Sequence, residues 1–415
     1  MTGRINSIGI IKESRPDESR APIAPSQVSQ IIEQYPGINI FVQPCNKRTF
    51  KNEEYEKCGA KIIDDLNDCD LLFGVKEVDV NRLIPNKTYV FFSHTYKLNK
   101  ETLSNAQGTP GMDKKELLRS ILTKNIKLID YENIRAANGS RYLGFGRFAG
   151  IVGCYNTLNL FLLQNDFQPL ARAHKINDYE RIIKNLSEVH FPNFKLLVTG
   201  DGRVNKGVQE VLKFTNIKKV SPKEFVEKNY ENPVFCNLDT KDYVIHKTKK
   251  PFELKHFIEF PKEYEATTFK YLKESDLYIS AHYWDPSSPK IFTKKQIKQF
   301  SKLKIIGDVT CDVDGSIPTT IKSTTIEEPN FYLNTETFLE IDKTKSDLAV
   351  MAVMAVDNLP SELPKDSSTE FGNGIVNEVI PYILDKDDGR ILNSTITDNG
   401  RFLKKYNYLE DYIKT

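Results

Sequence analysis

The amino-acid sequence predicts an α/β protein of more than one domain, each built on a parallel sheet. Three observations predict it. The chain has 415 residues, 39% of them hydrophobic, which exceeds one ordinary core and suits two domains of common size. Short apolar runs of strand length alternate with helix-like segments, and continuous apolar runs suit strands covered on both faces. The alternation comes in two series, as parallel strands joined by crossover helices require.

In the first series, residues 7–13 (SIGIIKE) read as a buried strand. Residues 25–35 (PSQVSQIIEQY) read as a helix opened by proline, whose fixed φ suits a first turn. Residues 39–43 are strand-like, and 53–58 are helical and end at Gly59 as a C-cap. Apolar runs at 61–63, 71–75 and 89–92 give further strands, followed by a helix over 114–123 and a strand over 127–130. Residues 150–164 (GIVGCYNTLNLFLLQ) are apolar around most of their circumference and predict a buried helix connecting the domains. The polar stretch 165–193 reads as a linker or insertion. In the second series, residues 194–200 (FKLLVTG) form a strand ending in glycine, 208–214 a helix and 217–220 a short strand, with later strands at 277–281 and 304–309. The segment LAVMAVMAVDNL, from Leu348, reads as a helix ending before Pro360, and the last helices are expected to return to the first domain.

Composition narrows the function classes. Basic and acidic residues nearly balance, 58 against 56, so no electrostatic footprint for nucleic acid exists. The densest basic run, HKTKK near Lys250, reads as a solvated loop. No signal peptide is read at the start, and no segment approaches the ~20 apolar residues that span a bilayer. The expectation is a cytoplasmic protein with no membrane partner. Six cysteines stand at 45, 58, 69, 154, 236 and 311 without a CxxC pair or a Cys/His cluster, so no metal site is expected and buried reduced thiols are.

Residues 196–210 (LLVTGDGRVNKGVQE) carry a glycine corner. Gly200 permits the tight turn, Gly202 lets backbone approach a pyrophosphate, and Gly207 permits close packing of helix on strand. Arg203 and Val204 open the helix, whose N–H groups face the anion. The spacing is GxGxxxxG rather than GxGxxG, and an ordinary strand–turn–helix corner is the alternative. About 20 residues on, where an NAD site carries an acid, the sequence has Ser221 and Lys223. A hydroxyl and a cation suit a 2′-phosphate, so NADP(H) is preferred and NAD(H) is the alternative.

Several motifs carry a family resemblance. The segments GDGRVNKGVQEVL, DLYISAHYWDPSSPKIFTKKQIKQF, IIGDVTCDVDGSIPTTIKSTTIEEPNFYL and MAVDNLPSELPKDSSTEFG resemble the lysine–2-oxoglutarate reductase half of the bifunctional lysine-degrading enzyme. The opening IGIIKESRPDESRAPIAPSQV is similar to that reductase, to the L-lysine-forming saccharopine dehydrogenases, and to alanine dehydrogenase and transhydrogenase; GVKE, FFSHTYK and GSRYLGFGRFAG complete the pattern. The resemblance implies two Rossmann-like domains with parallel sheets flanking a central cleft. Residues 1–150 plus 345–415 would form the substrate domain and 190–344 the dinucleotide domain, with a connecting helix and insertion at 151–189. It implies reductive condensation of an amino acid with a 2-oxo acid, here lysine and 2-oxoglutarate giving saccharopine, or the reverse. The second half of the bifunctional enzyme has no counterpart within these 415 residues.

Such chemistry needs proton donors and acceptors near pH 7 and cations for substrate carboxylates. Lys76, after an apolar strand, is either a surface lysine or a desolvated base. His94 is either structural or a proton carrier. The resemblance favours the catalytic reading for both. It also places Arg20 at a substrate carboxylate, with Arg15 its near neighbour and a surface charge the alternative. Lys97, Glu132 and Arg141 match further site positions: Glu132 suits the lysine ammonium and Arg141 a second carboxylate. Glu77 would tune Lys76 or bind the amino end of the substrate. Asp312 aligns with an aspartate beside the nicotinamide in alanine dehydrogenases, Asp308 can exchange roles with it, and Tyr283 ends a strand nearby. The alternatives are a related opine or alanine dehydrogenase and, in another class, a nucleotide sensor without catalysis. An oligomer is left open.

Overall fold

A computed structural model describes residues 5–96, 109, 111–342 and 349–414. It divides into two compact units, Met1–Phe145 with Pro364–Thr415, and Gly146–Leu363.

The first unit contains β1 (Ser7–Ile10), β2 (Asn39–Val42), β3 (Lys61–Ile62), β4 (Leu71–Phe73), β5 (Thr88–Phe91) and β6 (Lys127–Asp130). They run parallel in the spatial order β3-β2-β1-β4-β5-β6. Two strands from the far end of the chain, Thr395–Asp398 and Arg401–Phe402, extend the β6 edge antiparallel. β1, β4 and β5 are apolar on both faces because helices cover both. Among those helices are α1 (Pro25–Gln34) and α2 (Lys114–Thr123), which bury Val28 and Ile31, and Leu117, Leu118 and Ile121. Asp113 caps α2, accepting the Lys115 N–H at 2.8 Å. The helix Pro364–Glu378 returns to this unit and packs against α1: Gln27 Nε2 donates to Asn373 Oδ1 at 2.8 Å.

The second unit opens with α3 (Gly146–Gln164), whose residues 150–162 are all buried. Its parallel strands are β7 (Lys195–Thr199), β8 (Lys218–Val220), β9 (Val234–Leu238), β10 (Leu277–Ser280) and β11 (Ile305–Asp308), with α4 (Arg203–Leu212) between the first two. β12 (Asn330–Asn334) and β13 (Val350–Met354) follow. The order is β8-β9-β7-β10-β11-β13-β12, with the short strand Glu340–Ile341 at the edge. β13 is parallel to β11, and β12 is antiparallel to β13. Both units are thus Rossmann-like α/β folds, and in the second the strands that come second and third in sequence have exchanged places.

Two sequence expectations are corrected, and one pair of alternatives is narrowed. Val350–Met354, within the segment read as a helix, is a strand and lies in the second unit. A short apolar run fits either element, and this one gains ladder bonds on both sides. Residues 165–193 are no mere linker. They hold the helices Ala173–Ile176 and Tyr179–Ser187, whose Ile182 and Leu186 enter the second core. Gly207 serves a helix–helix contact: a Cβ there would stand 2.0 Å from the Arg147 carbonyl oxygen of α3, and one at Gly150 would stand 1.8 Å from that of Val204 on α4. The two glycines let α3 and α4 touch backbone to backbone.

Candidate active site

In the first unit, the register Phe73↔Val90 and Phe91↔Asp130 aligns the carboxyl ends of β4, β5 and β6 at one sheet edge. The sequence gathers its ionisable groups there, beside the point where the chain reverses direction across the sheet, the usual place for ligands in such sheets.

Glu13, after β1, anchors the turn after β4. Its buried carboxylate accepts the N–H groups of Val75 at 2.7 Å and Lys76 at 3.0 Å. Burial, reinforced by the Glu18 charge, pushes its pKa up to about 7 against those two donors and Arg20. The backbone of Lys76 is therefore fixed from β1. The Lys76 ammonium is depressed, by burial first and then by the like charge of Arg20, while Glu77 and Glu18 oppose.

Glu77 is fully buried and its two oxygens are engaged. Oε1 meets His94 Nδ1 at 2.7 Å and Lys114 Nζ at 3.6 Å, and Oε2 accepts from Thr109 N and Oγ1, each at 3.0 Å. Burial alone would raise its pKa. The charge of His94, once that imidazole is protonated, and its hydrogen bond outweigh burial together with Lys114 and Lys76, and hold Glu77 at about 2. Burial pulls the His94 pKa down in spite of Glu77. A neutral imidazole that donates Nδ1–H to a fixed carboxylate satisfies both groups. Nε2 is then the proton acceptor, an assignment made from the hydrogen-bond network. His94 itself adopts a left-handed backbone, φ 52°, a strained conformation of the kind found at functional sites. Its ring stacks on Phe92, centroids 6.2 Å apart.

Next to it, Asp130 is buried. It accepts the Ser93 hydroxyl and N–H and the Glu132 N–H. Burial and the Glu132 charge raise its pKa to about 7.

Four expected substrate contacts are paired with protein groups. Arg141 Nη2 meets Glu132 Oε1 at 2.7 Å, so the two residues assigned to opposite ends of a substrate hold each other. Arg20 is buried and forks onto Glu18, with Nε to Oε1 at 2.7 Å, and lies 4.1 Å from the centroid of the Phe145 ring. Against the rise that burial would cause, the Arg20 guanidinium holds Glu18 at about 2. Arg15 pairs with Asp17. Lys97 lies outside the described residues. Sequence reading did not single out Glu13, Glu18, Lys114 or Asp130. Glu18, two residues from Arg20, was legible as a charged pair; the others act across the sheet.

In the second unit, Gly200 ends β7 with φ +120°, and a Cβ on it would strike the Ala281 carbonyl oxygen at 2.4 Å. A side chain is thus excluded there on two grounds. Gly202 caps α4, and a Cβ on it would meet nothing within 4 Å. Open space in front of a glycine at the start of a ten-residue helix, whose first-turn N–H groups lack intrahelical acceptors, fits a pyrophosphate. Arg203 is exposed and Val204 partly buried at that start. Tyr283 is exposed. Thr199 Oγ1 and Ser316 Oγ hold the buried His282 at its two ring nitrogens, and burial lowers its pKa to about 4. Asp308 is buried under Ser280, Thr310 and Thr320 donors, so its carboxylate braces the ends of β10 and β11. Asp312 lies in the following turn, partly buried. Ser221 and Lys223 stand at the end of β8, where the Ser221 hydroxyl belongs to a capping box with Glu224.

His246, His256 and Glu263 form the one metal-like group among the described residues. His246 Nδ1 accepts the Thr248 N–H at 3.1 Å, which leaves Nε2 as the protonated atom donating to Glu263 at 3.0 Å. That tautomer serves a hydrogen bond and opposes metal ligation through Nε2.

Residues 9–152 match the family Alanine dehydrogenase/PNT, N-terminal domain, and residues 234–410 match its C-terminal domain. The glycine corner falls between the two matched stretches. The chain is 28% identical to alpha-aminoadipic semialdehyde synthase of Arabidopsis thaliana, over 97% of this chain and 41% of that protein. It is 26% identical to the mitochondrial synthase of Rattus norvegicus, over 95% and 46%. It thus spans less than half the length of these relatives. It is 24% identical to the saccharopine dehydrogenase [NAD(+), L-lysine-forming] of Schizosaccharomyces pombe, over 89% and 90%. Among solved structures, an L-alanine dehydrogenase superposes with a TM-score of 0.61 at 14% identity, covering 98% of this chain and 99% of that one. A transhydrogenase from Sinorhizobium meliloti gives 0.56 at 10%, covering 96% and 98%. Both share its fold. No helix among the described residues is long and apolar enough to cross a membrane.

Proposed function

Since the chain belongs to the alanine dehydrogenase/PNT superfamily, among the L-lysine-forming saccharopine dehydrogenases and their relatives, we propose that it is an oxidoreductase of the carbon–nitrogen bond that condenses L-lysine with 2-oxoglutarate to saccharopine, or runs the reverse. One observation carries the reading: Lys76 and His94, both depressed by burial, converge with Glu77 at the carboxyl edge of β4 and β5.

Condensation asks for one base and one shuttle. The attacking amine must lose a proton, and Lys76, its pKa lowered by burial, takes one more readily than a solvated lysine does. The carbonyl oxygen must leave as water, and His94 Nε2 can carry protons to and from it while Glu77 holds Nδ1–H. Arg20 and Arg141 offer guanidinium edges to substrate carboxylates. Their present partners, Glu18 and Glu132, fix where those edges point. Glu132 also offers a carboxylate to an ammonium. A nicotinamide dinucleotide held at Gly200, Gly202 and the start of α4 supplies or takes the hydride when bound. The first unit is then the substrate domain and the second the dinucleotide domain.

The test is an absorbance assay of the purified protein with lysine, 2-oxoglutarate and NADH or NADPH. Consumption of the reduced nucleotide supports the proposal. Consumption only with ammonia and pyruvate transfers the activity to the alanine branch, and absence of consumption with every amino-acid and oxo-acid pair refutes catalysis.

A further inference from the structure

The strand order of the second sheet changes which residue stands level with the glycine corner. In the strand order of the first sheet, the strand next in sequence after the glycine strand also lies beside it, and its carboxyl end meets the adenosine ribose. In the second sheet β8 comes next in sequence, yet β9 lies beside β7 and separates the two. The register pairs Thr199 with Leu238, and the Gly200 N–H donates to the Leu238 oxygen at 2.9 Å. The residue level with Gly200 is therefore Asp239. Val220 pairs with Cys236, so Ser221 stops two residues short of that level. It also lies two strand spacings from β7, about 10 Å at ~4.8 Å each.

A second observation ties Asp239 to the corner. The Asn237 amide nitrogen donates to Asp239 Oδ1 at 3.0 Å and to the Gly200 oxygen at 3.4 Å. The Asn237 amide oxygen in turn accepts from Asn205 Nδ2 at 2.5 Å, in the first turn of α4. One amide thus links the glycine turn, the helix start and the carboxylate, and the carboxylate is neither fully exposed nor buried away.

We propose that Asp239 is the ribose-recognising acid of this chain and selects NAD(H). It would accept a hydrogen bond from the ribose 2′-hydroxyl and repel a 2′-phosphate. This inference rests on the dinucleotide reading given above.

Equilibrium titration of the full chain with NADH and with NADPH, read by nicotinamide fluorescence, tests it without turnover. The wild type should bind NADH at least about tenfold more tightly, the scale of one charge-assisted hydrogen bond. Asp239→Asn should weaken NADH and tighten NADPH; misfolding cannot produce that gain. Equal affinities in the wild type, an unchanged ratio in Asp239→Asn, or a ratio that moves in Lys223→Ala instead would overturn the assignment while leaving the dinucleotide reading intact. Failure of the wild type to bind either nucleotide would sink both.

Discussion

The two sheets answer one architectural demand, a parallel sheet across which the chain doubles back, and they furnish the turning point differently. In the first, the ends of β4, β5 and β6 carry Lys76, Glu77, His94 and Asp130, ionisable groups whose acidity burial and pairing have displaced, and Glu132, paired with Arg141. In the second, the ends of β7 and β9 carry glycines, an amide and two carboxylates, Asp201 between the glycines and Asp239 beside the amide. The contrast teaches which physical resource each task draws on. Moving protons needs side chains whose acidity the fold has adjusted. Holding a phosphate needs bare backbone N–H groups and room in front of them. Neither site could be made from the other by changing a single residue.

The contrast can be broken, and the largest effect should come from Lys76→Met. Turnover with lysine and 2-oxoglutarate should fall by about 10²–10⁴-fold, with the NADH dissociation constant unchanged within about twofold. A parallel loss of nucleotide binding would show that the two sheets do not divide the labour. Gly207→Leu attacks the other side. It drives a side chain into the Arg147 carbonyl, at a cost of about 3 kcal/mol or more, so thermal stability and nucleotide affinity should drop together.

Glu77→Gln sharpens the comparison through pH. The folded pKa of Glu77 is about 2 against an ordinary 4.5. Its contribution, about 3 kcal/mol by linkage, is fully present above pH 4.5 and is lost as pH falls toward 2. Urea unfolding at pH 6 and pH 3 should therefore differ less in the variant than in the wild type. Glu13 has the opposite sign. With its pKa at about 7, its stabilisation is present below pH 4.5 and lost as pH rises through 7, so Glu13→Gln should flatten the neutral limb. The smallest effect belongs to Ser221→Ala, which removes an exposed helix cap worth about 1 kcal/mol or less; a shift in the NADH:NADPH ratio would return nucleotide choice to β8.

Local pattern made much of this legible. Residues 114–123 and 127–130 were read with the bounds the structure has, because an aspartate cap and an apolar face mark the helix and a buried run marks the strand. Lys76 and His94 were visible as polar residues directly after such runs. What stayed hidden depends on pairing between distant segments. β9 (VFCNL) is as short and apolar as its neighbours, and only its place between β7 and β8 shows that the ribose-side acid lies 39 residues past Gly200 rather than about 20. Glu13 and Lys114 reach Lys76 and Glu77 from β1 and α2, contacts that no spacing along the chain encodes. β13 lies in an apolar run that reads as a helix ending before Pro360, and two flanking strands overrule that reading.

The covered helix α3 offers an instrument as well as a support. With residues 150–162 sealed from solvent, its amide hydrogens should trade for deuterium only when the whole second unit opens. Their exchange clock would then slow by the factor 1 + [L]/Kd as a nucleotide is added. A mass spectrum of that one peptide would report affinity for any dinucleotide, fluorescent or not, oxidised or reduced.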